Sequence, residues 1–364
     1  MVEMILDGLV HWLLECLVRS KKASHTRLWI FLTLALSLPR RNAAVKVLSD
    51  IVLAGCRPGM LLMGAILALN LGPASAADAP LQTIRVATIP IDAGSEVYYA
   101  QKMGFFKNNG INVEITALTN GAAVTAAVIS GAVDIGQSNA VSVAQAHEHG
   151  IPVVIIAGAN RFLVTAGESG LVVNADSTIH TAQNLNGKTV AISGVRGIME
   201  IGMRNWVDKN GGDSTAVKFV DMPFPAMIAA LAQHRVDAAP LTIPELQAAI
   251  DSKQSRFISD VYSAISKDFL IGGWIATTPW VQAHPDLAAS YAKAIYQTAK
   301  WANTHHAESA VILEEVSKIH MTRSDHRIPF AEKLTTTDLQ PLIDICAKYG
   351  ILKTAFPASE IVLP

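Results

Sequence analysis

Residues 120–157 read NGAAVTAAVISGAVDIGQSNAVSVAQAHEHGIPVVIIA. The small apolar residues of 121–130 predict a helix, and the Val-Asp-Ile-Gly run after it indicates a short strand over 134–136. A second helix is predicted over 140–149, and the apolar run 153–157 is typical of a buried strand. Helices that alternate with strands at this spacing indicate parallel βαβ units, so the stretch predicts an α/β fold.

The alternation extends in both directions along the chain. Further strands are predicted over 84–89, 113–117, 170–173, 189–192, 217–220 and 236–238. Further helices are predicted over 95–102, 181–185, 198–209, 226–232, 245–250, 285–303, 307–319 and 338–349. Segment 223–239 repeats the outline of 120–136, a small-residue helix followed by Val-Asp and a small residue. This internal similarity favours two α/β lobes over one large sheet.

Composition excludes several classes of protein. Of 364 residues, 51% are hydrophobic and 16% are charged, which argues against a disordered chain. The 29 Lys and Arg residues nearly balance 30 Asp and Glu residues, so no broad basic surface for nucleic acid is expected. The length suffices for two domains of ordinary size.

The N-terminal region carries two apolar runs, 28–38 and 61–71, and each is shorter than the roughly 20 residues of a membrane-spanning helix. The second run follows Arg57 and precedes Ala74-Ser75-Ala76, the order of a secretory signal peptide. We therefore expect a leader over 1–76, cleavage after Ala76 and a periplasmic protein. An uncut signal anchor, a lipoprotein lipidated at Cys56 and a membrane segment in the first run stay open, as does a true start downstream of 1–59.

Motifs of common enzyme classes are missing from the sequence. It contains no G-x-x-x-x-G-K-[ST], G-x-S-x-G or H-E-x-x-H motif and no paired C-x-x-C. Cys346 lies in an amphipathic helical pattern typical of core, and His147 and His149 point to different sides of a predicted helix. We therefore expect no cofactor, no metal and no catalytic residue.

Five polar corners follow predicted strands. In open α/β sheets, ligands bind beyond the carboxyl ends of strands, where helix N-termini offer unpaired N–H groups. Each corner alone is more typical of ordinary helix capping than of ligand contact. Together they predict a ligand cleft. The corners are 90–98, 136–142, 159–160, 193–197 and 241–245.

Several motifs resemble a known family. They are IRVA at 84–87, GFFKNNGINVE at 104–114, SGAVDIG at 130–136, LNGKTVA at 185–191 and ALAQHRVDA at 230–238. Over about residues 82–300 the chain resembles the periplasmic solute-binding proteins of ABC importers, in the nitrate, taurine and alkanesulfonate group related to the NMT1/THI5-like domain.

The resemblance implies a type II periplasmic-binding-protein fold, with two Rossmann-like lobes joined by a two-strand hinge. Lobe 1 would comprise 82–172 and 272–364, and lobe 2 would comprise 173–271, with crossings near 171–173 and 272–275. The implied function is capture of a small organic solute by domain closure. A monomer is expected, with importer permease and ATPase subunits as partners and membrane contact only through them or an uncleaved N-terminal segment.

Twelve ligand-binding residues are implied by position in this family. Serines would donate hydrogen bonds, Arg196 would pair with a carboxylate or sulfonate, and two aromatic residues would pack on the solute. Structural alternatives are an Arg196–Glu200 bridge and a hinge-core role for Trp274. The residues are Asp92, Ser95, Tyr98, Ser138, Asn139, Asn160, Ser193, Arg196, Gly197, Thr242, Glu245 and Trp274.

The acidic members of this set leave the solute class open. Asp92 and Glu245 suit a zwitterion or a pyrimidine better than nitrate. The resemblance therefore also leaves open a binding protein for a pyrimidine or aromatic solute, or a THI5-like enzyme of pyrimidine biosynthesis that uses a histidine and a lysine. A receptor tethered by the N-terminal apolar runs is a third alternative.

Overall fold

A computed structural model describes residues 81–321 and 326–363. The predicted leader over 1–76, its cleavage site and the Cys56 alternative lie outside these ranges. No helix within them is long and apolar enough to cross a membrane.

Strands and helices alternate along the chain, as the sequence predicts. The strands are β1 (Gln82–Thr88), β2 (Ile111–Ala117), β3 (Ile135–Asn139), β4 (Val153–Gly158), β5 (Arg161–Leu163), β6 (Ser169–Asn174), β7 (Thr189–Ile192), β8 (Lys218–Asp221), β9 (Ala238–Thr242), β10 (Ser255–Ser259), β11 (Asp268–Leu270) and β12 (Gly272–Thr277). The helices are α1 (Glu96–Lys102), α2 (Phe105–Asn108), α3 (Gly121–Ile129), α4 (Ala140–Glu148), α5 (Ile198–Lys209), α6 (Phe224–Ala232), α7 (Glu245–Asp251), α8 (Thr278–Ala283), α9 (Pro285–Ala302), α10 (His306–Ser317) and α11 (Thr336–Lys348).

Two five-stranded sheets share one strand order. The first sheet runs β2-β1-β3-β12-β4 and the second runs β8-β7-β9-β6-β10. In each sheet the first three strands in this order are parallel, and the fourth is antiparallel to them. That fourth strand arrives from the other half of the chain. The predicted α/β fold with two similar halves is therefore confirmed.

The Val-Asp pair found in both halves has one structural role. Asp134 Oδ2 accepts a hydrogen bond from the Arg85 backbone N–H at 2.8 Å, and Asp237 Oδ2 accepts one from the Thr189 N–H at 2.8 Å. The N–H groups of Asp134 and Asp237 donate in return to the carbonyl oxygens of Arg85 and Thr189. In the first half, the aspartate thus holds the start of β3 against β1. In the second half, it holds the start of β9 against β7.

The predicted crossings near 171–173 and 272–275 fall in strands of the two sheets. Residues 171–173 belong to β6 and pair with β9, and residues 272–275 belong to β12 and pair with β3. The short strands β5 and β11 pair antiparallel with each other and stand in the two connecting segments. The lobe limits 82–172 with 272–364 and 173–271 stay a prediction.

Aromatic packing fixes the helices that follow the second sheet onto the first. The rings of Phe106 and Tyr291 stack with centroids 5.4 Å apart, and Trp274 meets Tyr291 edge-on at 5.4 Å. Cys346 is buried in α11, where burial raises the pKa of its thiol to about 12. The thiol is therefore protonated at neutral pH, which agrees with the core position predicted for Cys346.

Candidate functional site

A cavity of about 80 Å³ lies where the carboxyl ends of the parallel strands of both sheets meet. Each of the five polar corners contributes at least one residue to its walls. The apolar lining residues are Ile89, Ile91, Ala93, Ile198, Met199, Phe224, Pro240, Leu241, Val261, Tyr262, Ile271 and Ile328. The polar lining residues are Asn120, Gln137, Asn139, Asn160, Glu168, Ser169, Ser193 and Thr242. Most of the wall is therefore apolar, with polar groups at chosen points.

On the side of the first sheet, asparagines position two helix N-termini at the cavity. Asn120 Oδ1 accepts from the Ala123 N–H at 2.9 Å and begins α3, and Asn139 Oδ1 accepts from the Ser142 N–H at 3.0 Å and begins α4. Between them, Gln137 Nε2 donates to Asn160 Oδ1 at 2.9 Å. These caps and the amide pair hold the polar wall in one arrangement.

On the side of the second sheet, hydroxyl groups make the polar contacts. Thr242 Oγ1 donates to the Glu168 carbonyl oxygen at 3.0 Å, and Ser193 Oγ donates to the Thr119 carbonyl oxygen at 3.4 Å. Because Thr119 follows β2 of the first sheet, the Ser193 contact joins the two walls.

Glu168 carries the single carboxyl group among the described residues that line the cavity. Its side chain is buried, and neither carboxyl oxygen has a hydrogen-bond partner. Burial is the main cause that raises the pKa of Glu168 to about 8, and the nearby Asp260 and Asp92 carboxylates contribute to that rise. The group is therefore mostly protonated at neutral pH. No lysine, arginine, histidine or cysteine is among the described residues that line the cavity.

Four of the twelve residues predicted from sequence line this cavity. Two come from the first sheet and two from the second. They are Asn139, Asn160, Ser193 and Thr242. Their binding of a solute stays a prediction.

Asp92 does not line the cavity, and its carboxylate is paired with an arginine. Arg327 Nη2 lies 2.6 Å from Asp92 Oδ1, and Arg327 Nε lies 2.9 Å from Oδ2. The Ile328 N–H also donates to Asp92 Oδ2 at 2.9 Å. The predicted pairing of Asp92 with a ligand amine therefore lacks a free carboxylate.

Three other predicted residues near the first sheet do not line the cavity. Ser95 Oγ donates to the Ile91 carbonyl oxygen at 2.7 Å and makes no side-chain cap to α1. Ser138 Oγ donates to the Gly121 carbonyl oxygen at 2.8 Å. The half-buried Tyr98 packs against the core, which raises the pKa of its phenol. The Ser95 and Ser138 hydroxyl groups thus bond to the backbone of two lining residues, Ile91 and Gly121, from outside the cavity.

Arg196 and Gly197 stand at the start of α5 rather than in the wall. The Arg196 guanidinium donates to the carbonyl oxygens of Gly350 and Ile351, each at 3.2 Å. Glu200 accepts from the Arg196 backbone N–H at 2.7 Å, so the alternative side-chain bridge between them is not what the structure shows. Gly197 is the residue before the first turn of α5, and its N–H donates to the Gly194 carbonyl oxygen.

Trp274 and Glu245 are buried outside the cavity. Trp274 Nε1 donates to Glu96 Oε2 at 2.7 Å inside the first half, as the core alternative for this residue expects. Burial raises the pKa of Glu245 to about 7, and its Oε2 has no hydrogen-bond partner. Neither side chain lines the cavity.

Sequence reasoning missed Glu168 and Ser169 because it considered only the carboxyl ends of strands. The strand β6 is antiparallel to β9, and Ser169 pairs with Thr242 at the carboxyl end of β9. The amino end of an antiparallel strand therefore reaches the same sheet edge as the carboxyl ends of its neighbours. The order of predicted strands, with 170–173 entering from the first half, could have pointed to this position.

Metal chemistry has no obvious centre in the part of the chain described. Residues 81–321 and 326–363 contain no group of three or more His, Cys, Asp or Glu side chains that could hold a metal ion.

Two α/β halves of equal strand order, with a cavity between their strand ends, define the two-lobed class of solute-binding folds. Residues 94–309 match the model of the family described as NMT1/THI5 like. The chain belongs to this family.

A curated relative supports the assignment. The chain is 25% identical over 197 residues to the taurine-binding periplasmic protein of Escherichia coli (strain K12), which covers 52% of this chain and 57% of that protein. The match therefore spans little more than half the length of that relative.

Solved structures share the fold. The alkanesulfonate-binding protein SsuA from Xanthomonas axonopodis pv. citri, bound to MOPS, superposes with a TM-score of 0.67 at 16% identity, covering 78% of this chain and 99% of that one. The desulfurization enzyme DszB superposes with a TM-score of 0.57 at 14% identity, covering 78% and 96%. The fold is thus the SsuA type, and it also occurs in an enzyme.

Proposed function

We propose that the protein is the extracytoplasmic solute-binding component of an ABC importer and captures a small organic solute in the cleft between two lobes. The observation that carries this is the cavity itself, which takes polar and apolar walls from both sheets. The solute class is sulfonate-, taurine- or nitrate-like, or a related small compound. Relatives named for binding taurine and alkanesulfonate support this range.

Hydrogen bonds across the cleft support capture by closure. The Asp92 N–H donates to the Ile243 carbonyl oxygen at 3.0 Å, and Gln145 Nε2 donates to the Arg196 carbonyl oxygen at 2.8 Å. A solute that contacts both walls stabilises the arrangement in which these bonds form over a more open one. The importer would then distinguish loaded from empty protein by shape.

The volume of the cavity sets the size of the solute. At about 80 Å³ it is smaller than the engineered cavities of about 150 Å³ that admit benzene. In this arrangement the cleft suits a compact solute, and an aromatic ring such as a pyrimidine requires the walls to move apart.

Binding without reaction is the function that these residues favour. The described lining offers no cysteine, lysine or histidine as a nucleophile or base, and its carboxyl group, that of Glu168, is mostly protonated at neutral pH and therefore a poor nucleophile. This favours a binding protein over an enzyme of the DszB kind or of THI5-like pyrimidine biosynthesis.

A pyrimidine or aromatic solute is a second candidate, which the Tyr262 and Phe224 side chains in the wall favour. Flat apolar side chains of this kind suit the faces of a heterocycle.

Export and assembly follow from the same proposal. We expect a periplasmic monomer that contacts the importer permease and ATPase subunits. N-terminal sequencing of the exported protein tests the leader, and a first residue far from Ala77 would contradict cleavage after Ala76.

A thermal-shift screen tests the binding function. The panel contains taurine, alkanesulfonates, nitrate, aromatic carboxylates and pyrimidines. A solute present at 100 times its dissociation constant adds about 2.7 kcal/mol to the free energy of unfolding, which gives a clear rise in melting temperature. A melting temperature unchanged by every compound would argue against the proposal.

A further inference from the structure

We infer that the solute carries a nitrogen that donates hydrogen bonds, an amine or the amino group of a heterocycle, and that Glu168 with Ser169 receives it. This deepens the proposed function and rests on it. The inference moves the acidic contact from Asp92, which Arg327 occupies, to a residue at the start of β6.

The first support is that the buried polar atoms of the wall that lack a hydrogen-bond partner lie on two adjacent residues, Glu168 and Ser169. Among fully buried side-chain atoms of the described lining, those without a hydrogen-bond partner are Glu168 Oε1, Glu168 Oε2 and Ser169 Oγ. The Glu168 residue is 1% exposed. Buried polar atoms are nearly always paired in folded proteins, so three unpaired ones on adjacent residues of a cavity point to a missing partner.

The second support is the chemistry that these atoms accept. Carboxyl and hydroxyl oxygens accept hydrogen bonds, and an amine or amino-heterocycle offers two or three N–H donors in a small volume. The nearby wall is apolar, with Phe224 and Tyr262 available to the carbon part of the solute. A solute with one N–H-bearing end and a compact carbon or ring body matches this division.

The third support is charge. The described wall holds no cationic side chain to balance a bare anion, and Glu168 faces other carboxylates, Asp260 and Asp92, of which Asp92 is paired with Arg327. The phenol of Tyr262 is a further titratable neighbour, and the ring of His326 lies beside Gly167, the residue before Glu168. The elevated pKa of Glu168 means that a cationic amine ionises it on binding, whereas a neutral amino-heterocycle pairs with it without loss of its proton.

Matched pairs of probes test the inference. Taurine is compared with 1-propanesulfonate, in which a methyl group replaces the ammonium. 4-Amino-2-methylpyrimidine is compared with 2,4-dimethylpyrimidine. Dissociation constants are measured by calorimetry on the wild-type protein and on the Glu168→Met and Glu245→Met variants, in which a side chain of similar length offers no carboxyl oxygen. Glu245 is the control because it is also a buried glutamate with an unpartnered oxygen, but it does not line the cavity.

The expected result is at least a tenfold preference for the amino member of one pair. Glu168→Met reduces that preference to about threefold or less, and Glu245→Met leaves it unchanged. Release of a proton on binding identifies the solute as a cationic amine, and its absence identifies a neutral amino-heterocycle; both support the inference.

Equal affinity for the two members of the pair that binds, or a preference that survives Glu168→Met, would overturn the inference and leave the proposed function standing. Failure of every compound in the broader panel, amino or not, to bind the wild-type protein would instead count against the proposed function and the inference together.

Discussion

Arg327 and Asp92 form a bidentate ion pair whose side chains are 2% and 0% exposed, although 235 residues separate them in the chain. Arg327 Nη1 also donates to Ser309 Oγ at 2.8 Å, and Nη2 donates to the Tyr99 hydroxyl at 2.6 Å. The pair holds the segment that carries Ile328 against the corner after β1, and both contribute to the cavity wall. Its geometry therefore supports the site as well as the fold.

Removing the arginine is expected to destabilise the protein strongly. Arg327→Met leaves the Asp92 carboxylate buried without a cation, which typically costs about 3–5 kcal/mol. Urea unfolding measures the loss as a lower midpoint. The control is Arg85→Met, which breaks the pair with Asp134, where the arginine side chain is 48% exposed, and is expected to cost about 1 kcal/mol or less. Similar losses for the two variants would contradict the structural role of the buried pair.

Glu168 is expected to make the unliganded protein less stable as pH rises. Its pKa is about 8 in the folded protein against an ordinary value of 4.5, so the unfolded chain binds fewer protons between these values. The contribution of Glu168 to the free energy of unfolding is therefore largest below about pH 4.5. It falls as pH rises toward 8, by up to about 1.4 kcal/mol per pH unit.

The Glu168→Gln variant removes this dependence. The slope of unfolding free energy against pH between 5 and 8 is expected to fall, although Glu245, whose pKa is also raised, keeps part of it. Ser169→Ala removes a neighbouring unpartnered hydroxyl but no titrating group, and it should leave the slope as in the wild type. An unchanged slope in Glu168→Gln would show that the carboxyl titrates near its ordinary value.

Filling the cavity is expected to abolish solute binding while the fold persists. Ser193→Phe places a large ring at a wall residue, and the affinity for any solute of the panel should fall at least tenfold. Val195→Phe is the matched control, since Val195 is 55% exposed and does not line the cavity. Calorimetry measures binding, and the melting temperature verifies folding. Tight binding by Ser193→Phe would place the solute elsewhere.

Periodicity predicted most of the regular elements of this chain, but not β12, α2 or α8. The predicted strand 189–192 and helix 198–209 match β7 and α5 in both bounds. The three-residue strands β5 and β11 were missed because so short a segment shows no period; only their mutual pairing defines them. Local pattern thus predicts most of the strands and helices but not the connection between the two halves.

The sequence predicted the position of the site better than it predicted which side chains line it. Strand-end corners can be located from sequence because topology brings them to one edge. Whether a side chain there is free depends on partners far along the chain, as Arg327 shows for Asp92 and Glu96 for Trp274. No local pattern reveals those partners.

Arg196 is expected to stabilise the closed cleft without touching the solute. Its guanidinium donates to the carbonyl oxygens of Gly350 and Ile351 across from α5, and Arg196→Gln removes those bonds. A loss of about 1 kcal/mol corresponds to a roughly fivefold rise in dissociation constant, and it should be the same for sulfonates, amines and uncharged solutes.

The control is Arg204→Gln, because Arg204 lies on α5, the helix that follows Arg196, and pairs with Glu200 and the Ser214 carbonyl oxygen within the second half. That variant should leave all dissociation constants unchanged. If Arg196 instead paired with an anionic solute directly, Arg196→Gln would weaken sulfonates far more than uncharged compounds. The ratio of the losses measured by calorimetry therefore separates a closing contact from an anion contact.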